Sequence, residues 1–397
     1  MYDPAGHQSP NLAFLWPAFL AAVTSEMAAA AAKQFTDLAV GPDGESGHEP
    51  QWTTPHRIKL ELETVRLRDF SRDGQKGPAT LLCAPYALHG AAITDLAPGH
   101  SLVAALLHAG VDRLFVTDWR SAAGEMRALG IDDYLADLNV LVDEIGGPVD
   151  LIGLCQGGLM ALTFAARFPA KVHKLVLVGA PIDTAAAPSA LSALADGSPL
   201  AMFQELVRLG DGILPGRKVL KFWGPESVRA EDVRELLQSE EDIDSPTFAE
   251  LNARFRNWYA WTVDLPGRFF LQSVERLYKR NELATGCFVA LGHKIDLASV
   301  RTPMFLLAGR EDELVSPAQL FAVEHLAGTP AHDLRRALTS SRHIGLFAGK
   351  RTLEDIWPGI VRWLGEGSTT ASQNERTRAP RHESDKLSHV RLELNQR

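Results

Sequence analysis

Cysteine is scarce in this sequence, which has three in 397 residues: Cys83, Cys155 and Cys287. Secreted proteins held together by disulfides carry even numbers of cysteines at short spacings, so this odd and widely spaced set predicts no disulfide framework. Such cysteine usage favours a reducing compartment. We therefore expect a cytoplasmic protein whose thiols are free.

Positive charge is also in short supply. The chain has 40 lysines and arginines against 49 aspartates and glutamates, which gives a net charge of −9. Because binding to nucleic acid requires a basic surface, we expect no nucleic acid among the partners of this protein.

Long hydrophobic runs are missing as well. Residues 12–23 are apolar, but Pro17 interrupts them, and they fall short of the roughly 20 residues that span a bilayer. No basic stretch precedes them, so a secretory signal is not expected. Two interpretations remain: a helix that packs on the protein or a partner, and contact with an apolar surface such as a granule.

Motifs for metals and nucleotides are missing too. The sequence has no His-x-x-x-His or Cys-x-x-Cys pair and no phosphate-binding loop. The glycines around Cys155 lack the spacing of a dinucleotide-binding fingerprint. We expect neither a metal nor a cofactor.

The chain does contain an alternation of apolar strands and amphipathic helices. Apolar runs predict strands at 80–84, 113–117, 149–154, 172–179, 288–291, 304–308 and 334–337. Helices are predicted at 101–109, at 131–145 with Asp132 as its N-cap, and at 353–364. Residues 58–70 alternate and predict edge strands. This order is typical of a doubly wound, mainly parallel α/β sheet.

The alternation stops after Pro181. Residues 183–281 are predicted to be helical and to contribute no strand to the sheet. An insertion here lies over the carboxyl ends of the strands, where α/β sheets bind ligands, so we interpret it as a cap. Its aromatic side chains form either the core of the cap or the lining of an apolar substrate tunnel: Phe222, Trp223, Phe255, Trp258, Tyr259, Trp261, Phe269 and Phe270.

The stretch Gly153-Leu154-Cys155-Gln156-Gly157 lies between a predicted strand and the next helix. It has the pattern of a nucleophile elbow, with cysteine in the usual place of serine. So tight a turn needs neighbours without Cβ. The backbone N–H of Gln156 begins the helix and would face an oxyanion, and the same helix terminus favours a thiolate. The alternative is a small cysteine buried behind a glycine-rich turn.

A thiol nucleophile needs a base, and the base needs a carboxylate to orient it. In elbow enzymes the acid precedes the histidine along the chain. His343 lies in a loop before the last predicted helix, and Asp312 follows a predicted strand. We favour Asp312 over Glu311 because a short side chain suits a fixed orienting role, and the alternative is a solvated acidic loop. His89, after the first core strand, either shapes the oxyanion hole or is structural.

The sequence divides into five predicted segments. They are an N-terminal helical segment and linker (1–50), a first core part (51–183), a helical cap (184–284), a second core part (285–364) and a disordered tail (365–397). With the elbow, this organisation predicts an α/β-hydrolase fold with a helical cap insertion.

Several stretches resemble the polyhydroxyalkanoate synthases, in particular the short class that works with a partner subunit. The strongest resemblance is Gly153-Leu154-Cys155-Gln156-Gly157-Gly158, followed by Phe168-Pro169-Ala170-Lys171-Val172. Together, the resembling stretches cover residues 79–364. The other stretches are Thr94-Asp95-Leu96, Val116-Thr117-Asp118-Trp119, Asp312-Glu313-Leu314-Val315 and His343-Ile344-Gly345.

The resemblance implies a role for each candidate residue. Cys155 is the implied nucleophile that carries the acyl chain, with His343 as its base and Asp312 as the partner of the base. The implied substrate is a 3-hydroxyacyl-coenzyme A, from which polyester is built. Backbone N–H groups of Gln156 and of Ala87 or Leu88 would hold the oxyanion. A synthase partner subunit, a polymer granule and a homodimer are also expected.

The sequence departs from the family at two positions next to these residues. Glu313 stands where the synthases usually have histidine, and Ser341-Arg342 stands where they usually have Gly-Gly. Two other functions remain open. One is a cysteine hydrolase, either an intracellular polyhydroxyalkanoate depolymerase or a thioesterase. The other is a non-enzymatic protein of the granule surface.

Overall fold

The computed structural model describes residues 47–75, 77–223 and 229–366. The predicted N-terminal helical segment, with the apolar run 12–23, lies outside the described residues. So does nearly all of the predicted tail.

An eight-stranded sheet is the centre of the described part of the chain. In chain order its strands are β1 (Arg57–Glu61), β2 (Val65–Asp69), β3 (Ala79–Cys83), β4 (Leu114–Trp119), β5 (Val149–Leu154), β6 (Val172–Val178), β7 (Met304–Gly309) and β8 (Leu334–Thr339). Their spatial order is β1-β2-β4-β3-β5-β6-β7-β8. Strand β2 is antiparallel to both of its neighbours, and the other pairs are parallel.

Helices surround this sheet and fill the long connection between β6 and β7. They are α1 (Leu102–His108), α2 (Ile131–Ile145), α3 (Gln156–Arg167), α4 (Ala190–Gly197), α5 (Leu200–Leu209), α6 (Gly216–Trp223), α7 (Ala230–Leu236), α8 (Pro246–Ala260), α9 (Gly267–Gln272), α10 (Pro317–Phe321), α11 (Val323–Leu326), α12 (Gly345–Ala348), α13 (Lys350–Asp355) and α14 (Trp357–Gly365). Helix α9 continues as a π-helix over Ser273–Lys279. Within the described ranges, none of these helices has the length and hydrophobicity needed to cross a membrane.

Alternate side chains of the strands belong to two separate apolar cores. On β5, Leu151 belongs to the core shared with α2 and α3, whereas the next residue, Ile152, belongs to the core shared with α1 and α14. Successive side chains of a strand point to opposite faces, so a strand covered by helices on both faces must be apolar throughout. All six residues of β5 are buried, in agreement with this rule.

The predicted doubly wound, mainly parallel α/β sheet is confirmed. Seven predicted strand regions correspond to the sheet, with small differences at their ends; β4, for example, continues through Asp118 to Trp119. The predicted helix 131–145 is also confirmed as α2.

Three details of the prediction are wrong. Residues 288–291 do not enter the sheet, because Leu291 and Gly292 have positive φ and turn the chain back into a two-residue hairpin. The helix predicted at 353–364 is two helices, α13 and α14, since Pro358 cannot continue a helix from the preceding turn.

The third difference is that Asp132 is not the cap of α2. Its Oδ1 accepts from the N–H of Leu291, while Asp133 binds the N–H of Gly130.

Residues 183–281, which we call the helical segment, leave and rejoin the core at one point. Asn281 Nδ2 donates to Asp183 Oδ1 over 2.6 Å, so the two ends of the segment lie side by side. Our division of the chain at 184 and 284 remains a prediction.

Candidate active site

Cys155 occupies a sharp turn between β5 and α3. Its φ of 50° and ψ of −123° lie outside the regions that residues with a side chain normally adopt. The turn is held on both sides, because the N–H of Cys155 donates to the Val178 carbonyl (2.8 Å) and its carbonyl accepts from the N–H of Gly158 (2.9 Å). Strain maintained in this way is typical of functional sites.

Two glycines make this turn possible through close approach. A Cβ on Gly153 would come within 2.5 Å of the Gly158 Cα, and one on Gly157 would collide with the backbone carbonyl of Cys83. Strand β5, helix α3 and strand β3 therefore pack closer here than any residue with a side chain allows. This is the requirement on which the elbow prediction depends.

His343 and Asp312 lie together below the elbow, in the loops after β8 and β7. His343 Nδ1 is 2.7 Å from Asp312 Oδ2, and both side chains are almost completely buried. The other carboxylate oxygen of Asp312 accepts from the N–H groups of Leu314 (3.0 Å) and Val315 (2.9 Å). Asp312 is thus fixed from one side and holds the imidazole from the other. The neighbouring Glu311 is exposed.

The imidazole of His343 interacts with Cys155 as well as with Asp312. Burial alone would lower the pKa of His343, but the Asp312 carboxylate, the negative charge of Cys155 and a hydrogen bond to each of them raise it well above its ordinary value. The geometry therefore suits a thiol nucleophile, a base and an orienting carboxylate.

The loop after β3 faces Cys155 from the opposite side. Ala87 lines the same cavity as Cys155 and Gln156, whereas Leu88 has a buried side chain and is not part of the cavity lining in the described structure. The Leu88 carbonyl accepts from the N–H of Val263 (2.9 Å). Of the two sequence candidates for the oxyanion hole, Ala87 therefore lines the cavity beside Cys155 and Leu88 does not.

His89, two residues after Ala87, contacts the helical segment. Its ring lies 4.8 Å from that of Trp258 and stacks on Tyr259 at 5.0 Å. Trp258 Nε1 also donates to the Gly90 carbonyl over 2.9 Å. Burial lowers the pKa of His89 to about 4, with a smaller opposing effect of the Trp261 backbone. A neutral ring at physiological pH fits the structural interpretation of His89.

A small apolar cavity of about 80 Å³ opens beside the Cys155 thiol. The helical segment supplies most of its walls. The sequence singled out Phe270 among these residues as either core or tunnel lining, and Phe270 does line the cavity. The lining residues are Tyr86, Ala87, Cys155, Gln156, Leu191, Leu194, Ala195, Phe203, Leu265, Phe270, Ser273, Val274 and Tyr278.

Tyr278 is a site residue that sequence reasoning missed. It lies on the π-helix, and burial together with the negative charge of Cys155 raises the pKa of its hydroxyl. π-Helical turns are frequent at functional sites, but no sequence pattern marks this one. Unlike Phe270, which lines the cavity, the aromatic residues Phe255, Trp258 and Tyr259 belong to the core on the α1 and α14 face. The side chains of Phe222 and Trp223 lie outside the described part.

Comparison with known proteins gives a consistent set of relatives. The chain is 26% identical over 341 residues to the poly(3-hydroxyalkanoate) polymerase subunit PhaC of Haloferax mediterranei, covering 82% of this chain and 68% of the relative. It is 27% identical to the PhaC subunit of Allochromatium vinosum, covering 81% and 90%. The PhaC subunit of a Synechocystis species is 28% identical, with coverage of 69% and 74%.

The fold has a counterpart among solved structures. An epoxide hydrolase of Bacillus megaterium superposes with a TM-score of 0.51 at 14% identity, covering 79% of this chain and 100% of that one. A sequence profile of the alpha/beta hydrolase fold matches residues 89–347. The chain, with a sheet order, elbow and acid–histidine order of this type, belongs to the α/β-hydrolase fold family.

Proposed function

We propose that this chain is the catalytic subunit of a polyhydroxyalkanoate synthase, an acyltransferase that moves 3-hydroxyacyl groups from coenzyme A to a growing polyester. One observation carries the proposal: a cysteine, rather than a serine, stands at the elbow beside a buried histidine–aspartate pair. Exchange of one thiol for another is nearly balanced in energy, so a cysteine suits a thioester substrate. The similarity to PhaC subunits over most of the chain supports the same conclusion.

The first half of the reaction loads the enzyme. His343 takes the proton of the Cys155 thiol, and the thiolate attacks the thioester carbonyl of the substrate. Backbone N–H groups of Gln156 and Ala87 stabilise the oxyanion that forms. The tetrahedral intermediate then expels coenzyme A, which leaves as a thiol with the proton from His343, and Cys155 carries the acyl group.

The second half extends the polymer. His343 takes the proton of the 3-hydroxyl group of another acyl unit, and the oxygen attacks the acyl group on Cys155. A new ester bond forms, the C–S bond breaks and the proton returns to the sulfur. Water competes at this step, so the apolar cavity walls that the helical segment provides have a function in excluding it.

The relatives are named as subunits, which supports a synthase complex with a companion chain. We extend the proposal to such a partner subunit, to a homodimer of this chain and to work at the surface of a polymer granule.

The experiment that tests the function uses the purified full chain with 3-hydroxybutyryl-coenzyme A. Release of free coenzyme A is followed over time, and the acyl product is analysed by mass. The matched variant is Cys155→Ala, with Cys287→Ala as a control that removes an exposed thiol elsewhere. We expect release with oligomeric or polymeric product for the natural chain and Cys287→Ala, and none for Cys155→Ala.

Other products would lead to other conclusions. Release with only free 3-hydroxybutyrate would replace the synthase by a cysteine hydrolase, since water rather than a hydroxyl would then remove the acyl group. If the natural chain and Cys155→Ala behave alike, also with solid polymer and a candidate partner subunit, the enzymatic proposal is wrong.

A further inference from the structure

Arg342 lies between two carboxylates at the edge of the candidate site. Its Nη1 is 3.4 Å from Glu313 Oε1, and its Nε is 3.1 Å from Glu235 Oε1. Only 14% of its side chain is exposed. Glu313 directly follows Asp312, and Arg342 directly precedes His343. Glu313 and Arg342, which lie at the two places where the sequence differs from the polyhydroxyalkanoate synthases, therefore form an ion pair.

The same contact connects the site to the helical segment. Glu235 lies in the last turn of α7 and forms an ion pair with Arg342, and two hydrogen bonds also join the end of this helix to the loops around His343. Gln238 Nε2 donates to the Ser340 carbonyl (3.2 Å), and the N–H of Lys350 donates to the Leu237 carbonyl (2.9 Å). Arg342 is thus the charged member of a junction between α7, the Asp312 loop and the His343 loop.

The charges at this junction act on one another. Burial raises the pKa of Glu313 and the Arg342 guanidinium opposes this effect, while the charges of Asp312 and His343 also reach Glu313. Asp232 of α7 is influenced by Arg342 as well, although its main partner is Arg229. Without Glu313, the largely buried guanidinium of Arg342 would keep Glu235 as its ion-pair partner, whereas without Arg342 the carboxylate of Glu313 would lose the cation that it faces.

We propose that Arg342 is a positioning residue that, through Glu313 and Glu235, sets the orientation and the net charge around the Asp312–His343 pair. The inference rests on the proposed roles of Cys155 and His343. Glu313 and Arg342 act as a pair in this proposal, because each carries the charge that the other faces.

The proposal predicts opposite effects for the two members of the pair. Removing the positive charge in Arg342→Gln makes the thiolate on Cys155 less favourable, because Glu313 then adds an unbalanced negative charge next to Asp312. Removing the negative charge in Glu313→Gln has the reverse effect. We expect the pH midpoint of Cys155 reactivity to move by roughly half a unit, upward in the first variant and downward in the second. The double variant is expected to return close to the natural value.

The experiment measures alkylation of Cys155 by iodoacetamide as a function of pH, quantified by mass spectrometry in the full chain. Cys287, which is exposed, serves as the internal reference in every sample. Arg342→Lys keeps the charge and is expected to keep the midpoint. Arg72→Gln breaks an exposed ion pair with Asp112, which precedes β4 and lies outside this junction, and it is the matched control. Circular dichroism verifies that each variant is folded.

The outcomes separate this inference from the proposed function. Shifts of the same sign in both single variants, or no shift in variants that fold, would overturn the charge coupling. If the pH midpoints of Cys155 alkylation move as expected but the protein does not consume 3-hydroxybutyryl-coenzyme A, the inference about Arg342 stands and the proposed synthase function is wrong. In an active enzyme we also expect Arg342→Gln to lower kcat several-fold with little change in KM, since Arg342 does not line the cavity.

Discussion

The sheet and the helical segment meet at Cys155, but they are built in different ways. The sheet holds Cys155, Asp312 and His343 through regular strands whose ends are fixed by backbone hydrogen bonds. The helical segment consists of short helices joined by irregular turns, and it provides most of the apolar wall. We therefore expect the chemistry to depend on the sheet and the fit of the acyl chain to depend on the segment. Variants in each part should therefore have different consequences.

The largest effect is expected for the part of the sheet that orients the base. Asp312→Asn replaces the carboxylate that binds His343 Nδ1 by an amide, which favours the wrong tautomer of the imidazole. We expect kcat for 3-hydroxybutyryl-coenzyme A to fall roughly a thousandfold. The matched control is Glu311→Gln, next to it but exposed. Equal losses in both variants would contradict the role given to Asp312.

Alanine substitutions at two glycines, one at the elbow and one in the helical segment, compare how tightly the two parts are packed. Gly157→Ala should destabilise the protein by about 3 kcal/mol, because the new methyl group meets the Cys83 carbonyl. Gly197→Ala, at the end of α4 in the helical segment, meets nothing within 4 Å and should be neutral or slightly stabilising. Chemical denaturation measures both. A stable Gly157→Ala variant would refute the close-approach explanation of the elbow.

Asp150, at the end of β5 away from Cys155, allows a test of the stability of the sheet that does not alter the candidate site. Burial raises the pKa of Asp150 to about 6, with Lys174 acting in the opposite direction. A carboxyl group with a raised pKa contributes stability that is fully present below its unfolded pKa, near 4, and is lost as the pH rises through about 6.

We therefore expect Asp150→Asn to stabilise the protein by about 2 kcal/mol at pH 8 and hardly at all at pH 4. Thermal unfolding at the two pH values measures this difference. Acyl transfer should stay unchanged. Asp73→Asn, an exposed carboxylate, is the control. A difference between Asp150→Asn and the natural chain that does not depend on pH would speak against the raised pKa.

The smallest effect is expected in the wall of the cavity. Phe270→Leu enlarges the space beside Cys155, so activity with 3-hydroxyhexanoyl- relative to 3-hydroxybutyryl-coenzyme A should rise severalfold, roughly the value of one methylene contact. Phe269→Leu is the matched control, because Phe269 packs against Tyr86 and Tyr134 instead. It should lower stability without changing the ratio. The same change of ratio in both variants would mean that the segment does not determine acyl fit locally.

The sequence was informative where periodicity and a local motif coincide. Apolar strands predicted the sheet, and the glycines around Cys155 predicted a turn whose close contacts the structure displays. Asp312 could be selected because its loop follows a predicted strand, and His343 because its loop precedes the last predicted helix. The catalytic roles of all three residues stay predictions that the experiments above address.

The helical segment could not be derived in the same way. Asp211, Gln238 and Asn281 adopt positive φ, so no glycine marks these turns in the sequence. Tyr278 reaches the cavity because a π-helix shifts the register of its side chains. The partnership of Arg342 with Glu313 joins loops 29 positions apart (342 − 313), and no local spacing predicts such a pair.

The bond between Asn281 and Asp183 has a consequence for how this protein can be modified. Because the helical segment leaves and returns at neighbouring points, we expect that it can be exchanged as a unit while the sheet keeps its own chain ends. A replacement segment would need equivalents of Trp258 and Val263, which hold the loop of Ala87, and of the α7 contacts made by Glu235 and Gln238. If the segment sets the fit of the acyl chain, we expect acyl preference to move with it when these attachments are kept.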